Sequence, residues 1–144
     1  MKLQKKSLIA LLTFLILLSI IIAHFLPPTG ILVIPVVISV MIALIIFTDN
    51  SFTIIQKSAL SYLCIAFNDV GTKLFAGGRH DMESIGWIHM MLFIGLVPCF
   101  IMLITGALRD DKSSVWTRIL SSLIFVLLMY VHIEIFETLG VAKS

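Results

Sequence analysis

Four histidines and eight carboxylates are the groups in this 144-residue chain with the chemistry to hold a metal, move a proton or activate water. His89, His132 and Glu134 stand out because each interrupts a long apolar stretch, and neither histidine has a local partner that explains it. Imidazoles and a carboxylate are a donor set for zinc, and zinc-bound water would give a membrane-embedded, metal-dependent hydrolase. No H-E-x-x-H or comparable spacing accompanies them. Glu134 and Glu137, three apart, share a helix face, whereas His132 points elsewhere on the same helix. His80-Asp81-Met82 and His89-Met90-Met91 set thioethers beside imidazoles, a combination suited to cuprous copper, although methionine is also a common apolar filler. Two histidines on facing helices are in principle haem ligands, with nothing further in the sequence to support it. Gly77-Gly78-Arg79 ahead of a helix start is a possible cradle for a lipid phosphate, opposed by the neighbouring Asp81 and Glu83.

Ordinary roles account for several of the same residues. Asp69 and Lys73 are four apart, the spacing of an ion pair within one helix. Asp81 and Glu83 precede a helix, where carboxylates satisfy free amides and face the positive dipole end. His24 and Glu137 fall at the edges of apolar segments. Cys64 and Cys99 are single thiols with no C-x-x-C spacing, and the chain has no phosphate-binding loop, dinucleotide fingerprint or nucleophile elbow.

The elements that carry these residues follow from composition. The chain is 60% hydrophobic and 12% charged, against about 45–50% and about 25% in soluble domains. Its mean hydropathy is +1.15. A soluble enzyme, a nucleic-acid-binding module and a disordered chain are excluded, and a net charge of +2 implies no polyanionic partner. The bilayer is the first partner of such a chain. A crossing helix needs about 20 residues, and five candidate spans appear, at residues 8–26, 31–47, 54–75, 85–105 and 115–137. The expected fold is all-α: a single membrane domain over residues 1–144, a polytopic bundle of five transmembrane helices with short loops.

Local signals punctuate the spans. Pro27-Pro28-Thr29-Gly30 ends the first, and Pro35 falls in the first turn of the second. Thr53-x-x-Gln56 reads as a capping box for the third, and Gly77-Gly78 stops it. Pro98 lies inside the fourth, where a kink is expected. Ser113 or Ser114 can cap the fifth. The third helix is the most polar: Ser58, Ser61, Asn68 and Thr72 recur on one face, which should turn inward, while Ile54, Leu63 and Phe67 can face hydrocarbon. An alternative unwinds its outer part, making 68–78 a loop dipping into the bundle.

Basic residues set the orientation. With the N-terminus inside, Lys2, Lys5, Lys6, Lys57, Arg109, Lys112 and Arg118 lie on the cytoplasmic side, against Lys73, Arg79 and Lys143 outside. This predicts a plasma (inner) membrane protein with its N-terminus cytoplasmic and its C-terminus out. A cleaved signal peptide is the competing reading of the first span, but its apolar stretch is longer than the usual roughly 7–15 residues. On this topology all four histidines and five of the eight carboxylates face the outer compartment. The candidate polar cluster is Asp69, Lys73, Arg79, His80, His89, His132 and Glu134, with His89, His132 and Glu134 as candidate ligands for a divalent metal or copper. Charged groups at membrane depth are costly unless paired, which makes them functional candidates.

Two function classes follow. In one, a small non-catalytic accessory subunit or partner- or ion-binding protein uses the outer cluster, assembling with itself or a larger membrane complex. In the other, the cluster is a metal-dependent active site at the outer leaflet. If the two interior histidines do bind an ion or proton, binding should vary between about pH 5 and 8, where histidine changes charge.

Overall fold

The computed structural model describes residues 4–48, 51–78 and 82–141, and these are all helix and connecting turns. The helices are α1 (Lys5–Phe25), α2 (Thr29–Leu32), α3 (Ile34–Phe47), α4 (Ile54–Phe75), α5 (Met82–Leu108) and α6 (Val115–Phe136). Together α2 and α3 make one rod, Thr29–Phe47, interrupted at Val33. Pro35 has no amide to bond back across that point, so the helix restarts there with proline in its first turn.

Among the described residues, four elements are long and apolar enough to cross a membrane: α1, the α2–α3 rod, α5 and α6. The fifth expected span, α4, has the length, at 22 residues, but not the hydropathy. Its serines, asparagine, aspartate and lysines remove it from that class, so apolarity alone supports four crossings rather than five.

The packing explains why a polar helix is tolerated. α1 packs on α3, α3 on α5, and α5 on α6, while α4 packs against all four. The apolar rods thus form an arc around α4. Ser58, Ser61, Asn68 and Thr72 are all buried on its inner face, as their spacing predicted. Leu63, Phe67 and Leu74 emerge on the opposite face. Ile54 departs from expectation: it is 4% exposed, because the buried face of α4 begins in its first turn.

Polar contacts among the described residues fix how α4 and α6 lie together. Ser58 Oγ donates to Ser121 O at 2.6 Å, His132 Nε2 meets Asp69 Oδ2 at 3.0 Å, and Lys73 Nζ donates to Phe136 O at 3.0 Å. Each joins residues 63 apart, so the two helices run parallel and in register over most of their length. Parallel alignment is what an alternating up–down chain imposes when α5 returns between them.

Local chemistry sets the helix ends. Gln56 N donates to Thr53 Oγ1 at 3.3 Å and Thr53 N to Gln56 Oε1 at 3.1 Å, the expected capping box. Ser114 Oγ accepts from Thr117 N at 3.2 Å at the start of α6. Glu83 lies in the first turn of α5, the position that suits a carboxylate. α5 runs further at both ends than residues 85–105, and Pro98 sits within it. α4 stays helical through Phe75, which removes the loop alternative for Asn68–Phe75. α1 is a packed member of the bundle, with Leu8, Leu12, Ser19 and Ala23 buried.

The central placement of α4 predicts a contrast. Ser61 is fully buried, so Ser61→Leu forces added volume into a close helix contact, at a cost of about 1–3 kcal/mol. Leu63 is 45% exposed, and Leu63→Ile should shift thermal unfolding in detergent far less. Equal shifts would count against the inward face.

Candidate functional site

The end of the bundle formed by the C-termini of α1, α4 and α6 and the start of α5 carries the buried charges. α4 presents Asp69 and Lys73 one turn apart toward α6, which presents His132 in its penultimate turn. Lys73 Nζ lies 2.7 Å from Asp69 Oδ2, and His132 Nε2 lies 3.0 Å from the same oxygen. The three residues are 0–2% exposed. One carboxylate oxygen therefore serves two bases. Oδ1 of Asp69 and Nδ1 of His132 are buried with no hydrogen-bond partner. With Asp69 ionised, Nε2 of His132 carries the hydrogen, and in the neutral ring Nδ1 is then an acceptor.

The surroundings hold this arrangement in place. Lys73 spends a second hydrogen bond on Phe136 O, satisfying a carbonyl at the end of α6. The His132 ring packs against Phe136, with centroids 4.8 Å apart, and edge-on to Tyr62 of α4 at 6.0 Å. Beyond α6 the chain turns back over the end of α4. Gly140 has φ +87° and sits so close to Lys73 O that a Cβ there would collide with it. Val141 then packs against the core.

The other candidates are distributed unevenly. His89 of α5 is half-buried, its Nε2 without a partner, and it lies within electrostatic range of Asp69, Lys73, His132 and Glu137. It borders the Asp69 network without being bonded into it. Glu134 is exposed, as is Glu137, because the face of α6 they share turns away from α4. Glu134 therefore lies on a different face of α6 from the buried His132. Among the described residues, no group of three His, Cys, Asp or Glu side chains is arranged to hold a metal ion. The neighbouring thioethers diverge too, Met90 being exposed and Met91 buried. Arg79, His80 and Asp81 lie outside the described residues.

His24 has a structural partner: its Nδ1 is 2.7 Å from Phe75 O, at the C-terminus of α4. Gly77 N donates to Ala23 O at 3.1 Å beside it, tying the ends of α1 and α4 together. Cys64 and Cys99 are buried free thiols on different helices.

Sequence spacing identified the Asp69–Lys73 pair but not the third member. Nothing local signals that His132 should reach Asp69. The constant offset of 63 between α4 and α6 becomes visible only once both are packed.

Comparison with protein-family models, with curated proteins and with solved structures finds no match for this chain. The site is therefore interpreted from its own geometry.

Proposed function

We propose that this is a small, non-catalytic membrane protein that binds a small ion, the proton included, at the Asp69–Lys73–His132 network. The observation that carries the reading is the sharing of Asp69 Oδ2 by an ammonium and an imidazole at 2.7 and 3.0 Å, with all three side chains buried. Such groups are expensive in an apolar bundle, and an ion pair alone needs no third base. In this reading α4 is a fifth span, its polar face covered by the arc of apolar helices and its apolar face, with Leu63 and Phe67, turned to lipid. The network then faces the non-cytoplasmic side of the plasma membrane, and the bundle assembles with itself or within a larger membrane complex. The metal-dependent hydrolase is the weaker reading, because Glu134 is exposed on α6 while His132 is buried against α4.

Ion binding is tested in lipid nanodiscs by infrared difference spectroscopy. Stepping the pH, or exchanging Na+ for K+, should perturb a carboxylate band that is missing from the Asp69→Leu/Lys73→Met double variant. Carboxylate difference spectra that are the same in wild type and the double variant would refute the reading. Topology is tested separately: a reporter fused after Ser144 should be outside the cytoplasm, and one inserted in the Arg109–Lys112 loop should be inside. The opposite pattern would place the network on the cytoplasmic side.

A further inference from the structure

The polar groups of α4 do not stop at Asp69. Thr72, Asn68 and Ser61 follow on the inner face, each 0% exposed, and Thr72 Oγ1, both polar atoms of Asn68 and Ser61 Oγ are without partners. Helical hydroxyls elsewhere in this protein bond the carbonyl four residues back, as Ser39 does to Pro35, Thr105 to Ile101 and Ser122 to Arg118. The same option is open to Ser61 and Thr72, yet their buried hydroxyls bond no carbonyl. Further along, Ser58 bonds Ser121 O, and Ser121 bonds the carbonyl of Arg118, a residue near the opposite end of the bundle. From Lys73 to Ser58 is about 22 Å of helix, most of a hydrocarbon layer roughly 30 Å thick.

We propose that this inner face of α4 extends the Asp69–His132 pair into a path for protons between the two ends of the bundle, so that the protein conducts protons across the membrane. The inference rests on the ion-binding reading and names the proton as the ion. Transfer begins when a proton from water at the outer end reaches Nδ1 of His132. The N–H bond at Nε2 then breaks, and its proton forms an O–H bond on Asp69 Oδ2. The imidazole ends as its other neutral tautomer, the carboxylate as a neutral acid, and Lys73 keeps its charge. Rotation of the carboxyl exchanges its oxygens and presents the proton to the Thr72 and Asn68 side. The stretch from Asn68 to Ser61, about 10 Å long, is crossed on water held by the amide and the hydroxyl. Water also takes the proton from Ser61 to the inner end, because the Ser58 and Ser121 hydroxyls donate to backbone carbonyls that pass no proton on. Asp69 is then a carboxylate again, and a flip of the imidazole ring returns its N–H to Oδ2 for the next proton. The charged and titratable groups around His132 are Asp69, Lys73 and Tyr62 on α4, His89 on α5 and Glu137 beyond α6. Of these, Asp69 favours proton arrival, and Lys73 opposes its accumulation and drives it onward.

The test uses the full chain in phosphatidylcholine–phosphatidylglycerol vesicles with a pH-sensitive dye inside. A potassium diffusion potential set by valinomycin drives protons inward. Wild type should acidify the lumen, and protein-free vesicles should not. His132→Gln retains an amide that can donate to Asp69 but cannot relay a proton, and Ser61→Ala removes one hydroxyl without adding volume. Both variants should lose the flux while keeping the wild-type thermal unfolding profile to within a small shift. Flux undiminished in both variants overturns the path. A wild type that shows the Asp69-dependent infrared band but passes no protons overturns the path and leaves the ion-binding reading standing. Absence of both responses defeats the two together.

Discussion

Asp69→Leu is expected to destabilise the bundle by about 3–5 kcal/mol, because it strands the Lys73 ammonium without its counter-charge. Lys73 is fully buried, and its remaining hydrogen bond is to Phe136 O, a neutral carbonyl. The double variant Asp69→Leu/Lys73→Met removes both charges and replaces them with apolar groups of similar reach. Buried ion pairs exchanged for hydrophobic residues are often neutral or more stable by about 1–4 kcal/mol, so the double variant should recover most of the loss. Unfolding in a single detergent gives the comparison. If the double variant falls as far as Asp69→Leu, the two charges are not coupled and the network has been misassigned.

The second large effect separates the two interior histidines. His132→Leu removes a hydrogen bond to a carboxylate, an interaction worth about 1.5–3 kcal/mol when one partner is charged. Asp69 keeps Lys73, so the loss should stay below that of Asp69→Leu. His89 contributes no hydrogen bond from Nε2, and that atom is buried. His89→Leu relieves an unsatisfied polar group and should leave stability unchanged or raised. Thermal unfolding of the two variants side by side decides it. Comparable losses would mean that His89 is bonded into the Asp69 network after all.

These outcomes bear on how the site works. A charge pair that only stabilised the fold would be replaceable by apolar residues without functional consequence. The double variant therefore matters twice, once for stability and once for ion binding. Stability recovered with ion response lost would show that the buried charges are retained for their chemistry.

Much of the architecture depends on local interactions and was therefore legible along the chain. Apolar runs of membrane length, proline and glycine at the breaks, and Thr53 and Ser114 as caps define the rods. The three- and four-residue spacing of Ser58, Ser61, Asn68 and Thr72 marked the inward face of α4, because residues so spaced lie on one side of a helix whatever surrounds them. The Asp69–Lys73 pair was legible for the same reason.

The remaining features are relations between helices. Whether α4 crosses the membrane as a fifth span could not be judged from its own hydropathy, since its polar face is compatible with lipid only when the surrounding rods cover it. The rotation of α6 decides that His132 faces α4 and Glu134 faces out, and this rotation is set by packing against α4 and α5. Two histidines and a glutamate on two helices specify no geometry by themselves. Tertiary packing set the 63-residue register that delivers His132 to Asp69, and it carried Glu134 away, because side chains two apart on a helix point in directions roughly 200° apart.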